Sequence, residues 1–140
     1  QVQYFLVLSD PCGIVYKFDH IEVLGDSIKQ IDQVVPLAGE NDSRTTAISP
    51  PISLKKGAVI GTKVGIGGNS FIDFGVHDIR ERNEASNDPE FAKRYENSQE
   101  FIYYGVCWLD WMRPEHKDYL LSLAVVGVEK NHSHYCDYLR

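Results

Sequence analysis

Long apolar runs are missing from the 140 residues. No stretch approaches the roughly 18 apolar residues that a bilayer-spanning helix needs, so no membrane span is expected. Positive charge is in deficit, with 14 Lys and Arg against 20 Asp and Glu and a net charge of -6. That balance argues against a sequence-independent grip on phosphate backbones, and no nucleic-acid partner is expected. The first residues, Gln1-Val2-Gln3-Tyr4, carry no basic n-region, so an exported chain would already have lost its signal. Cysteine is scarce. Cys12, Cys107 and Cys136 are too few for a disulfide scaffold, and no Cys-x-x-Cys is present to build a zinc ribbon. No internal repeat or low-complexity tract occurs. What is present, 43% hydrophobic and 24% charged residues, suits one core, and the expectation is a single β-rich domain over 1–140 or a fragment of a longer chain.

The odd cysteine count bears on compartment. In an oxidising one a single pair can close, Cys107 with Cys136, tying the tail back onto the segment around Trp108. Cys12 is then alone or paired with a cysteine outside this chain. In a reducing cytosol all three would be buried free thiols. Asn41-Asp42-Ser43 and Asn131-His132-Ser133 fit the N-glycosylation acceptor pattern, which applies only to an exported protein.

Tyr4 to Leu8 and Gly13 to Phe18 are apolar runs separated by turn chemistry at Ser9-Asp10-Pro11-Cys12-Gly13, which predicts a hairpin or two adjacent buried strands. His20 to Leu24 alternates and ends at Gly25-Asp26, the pattern of a third short strand or an edge. Ile28 to Val35 has a spacing that fits a helix or a short strand. Ala38 to Pro51 reads as a surface loop open to proteolysis. From Ile52 to Val76, short β-rich stretches alternate with glycine turns. Gly65-Ile66-Gly67-Gly68 leads into an apolar strand and not a helix N-terminus, which argues against a phosphate loop. Arg80 to Glu84 is a solvated charged stretch. Asp88-Pro89-Glu90 starts one helix and Arg113-Pro114-Glu115 a second, with Tyr119, Leu120, Leu123 and Ala124 as its packing stripe. Between them Phe101 to Leu109 is aromatic and β-like.

Three segments in order carry a family resemblance. They are Ile14-Val15-Tyr16-Lys17-Phe18-Asp19-His20-Ile21, Leu54-Lys55-Lys56-Gly57-Ala58-Val59-Ile60-Gly61, and Phe71-Ile72-Asp73-Phe74-Gly75-Val76. Together they cover roughly half the chain and resemble the core of the lysostaphin-type (LytM-type) zinc endopeptidases that cut peptidoglycan cross-links. The resemblance implies an antiparallel β-sheet and barrel-sandwich core with one or two short helices in the C-terminal third. It sets His20 at the active-site histidine. Zinc in that family is held by a His-x-x-x-Asp motif and the second His of His-x-His, with one position open for water. This sequence writes Phe71 and Asp73 where the His-x-His belongs, and no His-x-x-x-Asp occurs. In the family that motif lies upstream of a strand like Tyr4 to Leu8, so either the chain is a fragment or the site was never there. Ile72-Asp73-Phe74-Gly75-Val76-His77-Asp78 and Val106-Cys107-Trp108-Leu109-Asp110 also resemble a group of uncharacterised exported proteins with this degenerate core, which implies an extracellular or cell-envelope location.

Rival sites stand beside the resemblance. Asp73, His77 and Asp78 with His20 form a metal-like cluster if strand alternation holds, Asp73 and His77 sharing one face. Alternatively Asp73 caps a turn or pairs with Arg80 or Arg82. His132, His134 and Cys136 have ligand-like spacing in the tail. Cys12 with His20 is a candidate nucleophile pair. Trp108, Trp111 and Tyr104, with Tyr103 and Tyr119, offer aromatic faces for sugars or peptides, or fill the core. The expected function is a non-catalytic, exported envelope module that needs no cofactor and binds an envelope polymer or protein partner. Alternatives are a zinc-dependent peptidoglycan peptidase with His20 as catalytic residue, Asp73 and His77 as candidate ligands and the rest upstream, and a subunit of an extracellular assembly.

Overall fold

The protein is described by a computed structural model that covers residues 2–39, 45–97 and 100–122. Its fold is mainly β. Strands β1 (Tyr4–Ser9), β2 (Ile14–Leu24), β3 (Gly61–Val64) and β4 (Asp73–Asp78) form an antiparallel sheet in which β2 pairs with each of the other three. Two short helices follow, α1 (Pro89–Arg94) and α2 (Pro114–Ser122). No helix among the described residues is long and apolar enough to cross a membrane. The described residues pack as two compact units, one made of those up to Leu6 with those of Phe18–Phe74, the other of Val7–Lys17 with those from Gly75 to Ser122.

In the first unit the core is Leu6, Ile21, Leu24 and Ile28, flanked by Tyr4, Phe18, Ile31, Ile52, Leu54, Ile60 and Val64. Ile21 and Ile28 are the most deeply buried, at 0% and 2% exposure, and each contributes about 1.5–3 kcal/mol through burial. His20 to Leu24 is not a separate strand. It continues β2 because no turn-forming pair stands between Phe18 and His20; the chain instead absorbs a bulge, seen as register shifts between Ile21↔Val64, Val23↔Lys63 and Leu24↔Gly61. Across that pairing the buried Glu22 carboxylate meets Lys63. Gly25 closes the strand, since a Cβ there would stand 2.0 Å from the Val59 carbonyl oxygen. The ambiguous stretch after it is a 3-10 turn, Lys29–Gln33, pinned by the Tyr4 hydroxyl donating to Asp32. Of the β-rich stretches expected between Ile52 and Val76, β3 and the start of β4 are strands. Lys55 to Ala58 is a turn, with the Ala58 N–H on the Lys55 carbonyl at 3.0 Å.

In the second unit the predicted turn forms between β1 and β2, where the Asp10 carboxylate accepts from the N–H groups of Cys12 (2.8 Å) and Ile14 (3.2 Å). Ile14, Val15, Val76, Ala85, Phe91 and Cys107 are buried. Both helix starts are as the capping chemistry predicts: Asp88 accepts from the Glu90 N–H at 2.8 Å with Pro89 behind it, and α2 begins at Pro114. Its packing stripe fails at Tyr119, which is 64% exposed, while Leu123 and Ala124 lie outside the described residues.

Phe101 to Leu109 is not a strand. It folds as two 3-10 turns, Glu100–Tyr104 and Trp108–Trp111, because other groups claim the carbonyls a strand would pair. Buried Asn83 donates its amide to the carbonyls of Ile102 (3.0 Å) and Gly105 (3.1 Å), and its N–H to that of Tyr103 (2.8 Å). Its own oxygen accepts from the Ser86 N–H at 3.0 Å, so every polar atom of the side chain is satisfied. Asn83→Asp keeps the shape but removes two donors and sets a carboxylate against two carbonyls. Urea unfolding is expected to show a loss of about 2–4 kcal/mol, at least as large as for Asn83→Ala.

Candidate functional site

The candidate site of the first unit centres on His20. Its backbone lies in the left-handed region, at φ 62, and no other described non-glycine residue has a positive φ. Two backbone bonds hold it there: the Asp19 carboxylate accepts the His20 N–H at 2.6 Å, and the His20 carbonyl accepts the Gly65 N–H at 2.9 Å. Gly65, at φ 111, has no room for a side chain, since a Cβ would stand 1.8 Å from the Asn69 carbonyl oxygen. The Gly65 carbonyl in turn accepts the side-chain amide of Gln3. Gln3 is therefore oriented with its NH2 on Gly65 and its oxygen toward His20, 3.1 Å from Nδ1. An amide oxygen can only accept, so Nδ1 carries a proton.

The other ring nitrogen, Nε2, faces Asp73, whose Oδ2 is 3.5 Å away. The Phe71 ring lies against the imidazole, centroids 4.7 Å apart and planes at 57°. The side chain of His20 is 22% exposed and that of Asp73 is 73% exposed. The sheet thus brings together His20, Phe71 and Asp73, the positions singled out in two of the resemblance segments. Gln3 had no signal in the sequence. Asp73 pairs with neither expected arginine: Arg80 chelates Asp78 (2.8 and 2.6 Å), which holds the Asp78 carboxyl below its usual range, and Arg82 lies over Tyr103 at 5.3 Å and Tyr104 at 6.0 Å. His20 faces Gln3 and Asp73, while Cys12 is exposed and free in the β1–β2 turn. Trp111 is 57% exposed, and Trp108 and Tyr104 are half-buried. Cys107 is disulfide-bonded. Cys136, expected as its partner, and the candidates Asn41, Asn131, His132 and His134 lie outside the described residues.

His77, a candidate metal ligand in the sequence, lies in the second unit. It is buried, its Nδ1–H donating to the Phe101 carbonyl at 2.9 Å and its ring edge-on to Phe101 at 5.6 Å. Lys17 sits over that phenyl ring, Nζ 4.0 Å from the centroid. Burial lowers the His77 pKa; the bond to Phe101 opposes this and the Lys17 charge adds to it. Burial likewise lowers the pKa of Lys17. With the folded-state pKa of His77 below the ordinary 6.5, an unfolded chain takes up a proton that the folded one refuses. This share of stability is complete above that value and is lost as pH falls through it toward the lowered one. Urea midpoints measured from pH 7.5 to 5 are expected to fall more steeply for the natural protein than for His77→Gln.

Zinc, which the resemblance implies, finds a poor donor set. His20 Nε2 and Asp73 Oδ2 are two donors, Phe71 offers none, and among the described residues no three His, Cys, Asp or Glu side chains stand together as a metal would need. Comparison with known proteins finds no family model that matches the chain, and no curated protein or solved structure with significant similarity to it.

Proposed function

We propose that the chain is a non-catalytic binding or structural module of the cell envelope, built on a lysostaphin-type barrel-sandwich core whose zinc-peptidase site has degenerated. The observation that carries this reading is the ring of Phe71 on the imidazole of His20, 4.7 Å between centroids. In the enzymes that the three segments resemble, a second imidazole belongs where Phe71 stands, to stabilise charge at the hydrolytic water and the scissile carbonyl. A phenyl ring can neither donate nor accept there. His20 itself is committed at Nδ1 to Gln3, and its Nε2 looks at a carboxylate. Among the described residues the site lacks the second imidazole and the third metal donor with which those enzymes activate water, which supports a ligand-holding role.

Two measurements on the natively purified chain test this. Elemental mass spectrometry is expected to find no metal above the blank, and cross-linked peptidoglycan is expected to stay uncut while the protein sediments with it. Near-stoichiometric zinc that disappears in Asp73→Ala, together with released cross-link peptides, would overturn the reading in favour of a peptidase.

A further inference from the structure

His20 and Asp73 present two acceptors to each other. Gln3 places a ring proton on Nδ1, so in the neutral form of the ring Nε2 directs a lone pair at Asp73 Oδ2 across 3.5 Å. With the ring unprotonated at Nε2, two acceptors at that distance repel, and a positively charged donor placed between them serves both. The pair is open to a visitor, since the Asp73 side chain is 73% exposed. Beside it Phe71 and Ile72 are exposed at 40% and 43%, an aromatic and an aliphatic surface next to the carboxylate. A carboxylate and an imidazole nitrogen beside a phenyl ring match an alkylammonium: N–H donors for the two acceptors and polarised methylenes for the ring.

Resting on the reading of this chain as a binding module, we propose that His20, Asp73 and Phe71 form a binding site for a primary alkylammonium group, such as a lysine side chain or peptide amino terminus. The ammonium donates to Asp73 Oδ2 and His20 Nε2, and its carbon stem lies on Phe71. Lysine suits the geometry better than arginine, because donors on a single nitrogen can converge on two acceptors from different residues, whereas the guanidinium fork is matched to the paired oxygens of one carboxylate.

The test is a titration of the isotopically labelled chain with an end-blocked Gly-Lys-Gly peptide at pH 8, followed by amide NMR. Saturable shifts at His20, Gly65 and Asp73 are expected. Affinity is expected to drop at least tenfold for the same peptide with an acetylated lysine and in Asp73→Asn, and about threefold in Phe71→Leu, the usual loss of one exposed cation–π contact. Equal binding of the acetylated peptide, full binding by a folded Asp73→Asn, or no saturable shift would overturn the proposal. The last result in a zinc-free, sedimenting protein removes the ammonium site and leaves the binding-module reading standing, whereas zinc and hydrolysis would remove that reading whatever the peptide does.

Discussion

Everything in the first unit depends on how β2 passes through His20. A non-glycine residue in the left-handed region costs about 1–2 kcal/mol, and the chain accepts that cost in the middle of the strand that pairs with all three others. Gly65 holds it in place by giving its N–H to His20 and its carbonyl to Gln3. Ile21, fully buried in the core, follows immediately after a residue whose ring is turned to Phe71 and Asp73. Core and site are therefore adjacent residues of one strand, and a change that relaxes the backbone at His20 reaches both.

The second unit is organised by two buried polar side chains where its sequence promised a strand. Asn83 and His77 between them take the carbonyls of Phe101, Ile102 and Gly105, so the aromatic segment winds into 3-10 turns. Desolvating an asparagine and a histidine is costly, and the cost is offset because their hydrogen bonds are met within the unit. Histidine brings a condition with it: the arrangement is comfortable only while the ring is neutral, with Lys17 close by.

Local chemistry was legible wherever a few neighbouring residues decide the outcome. The Asp10 turn and the Asp88-Pro89 helix start are of this kind, because each cap is made within four residues of its own position. Strand propensity misled at Phe101 to Leu109, since the competing donors come from residues 77 and 83, far away in sequence. The candidate site was half visible. His20, Phe71 and Asp73 stood out by their positions in a known pattern. Gln3, which places a proton on Nδ1 of His20, is a single polar residue before a strand and gives no signal by itself; Asn83 was read as part of a solvated charged stretch and is instead buried, its oxygen capping the turn that begins at Glu84.

The proposed site sets an exposed phenylalanine beside a histidine held by its backbone and by Gln3. That account turns on one proton. Long-range proton–nitrogen correlation of the His20 ring at pH 8 is the most direct measurement. Nδ1 is expected to carry the hydrogen and Nε2 to show the shift of a bare ring nitrogen, with the preference lost in Gln3→Ala. A natural protein whose His20 is protonated at Nε2 and bare at Nδ1 would contradict the role given to Gln3, and with it the pair of acceptors on which the binding site is built.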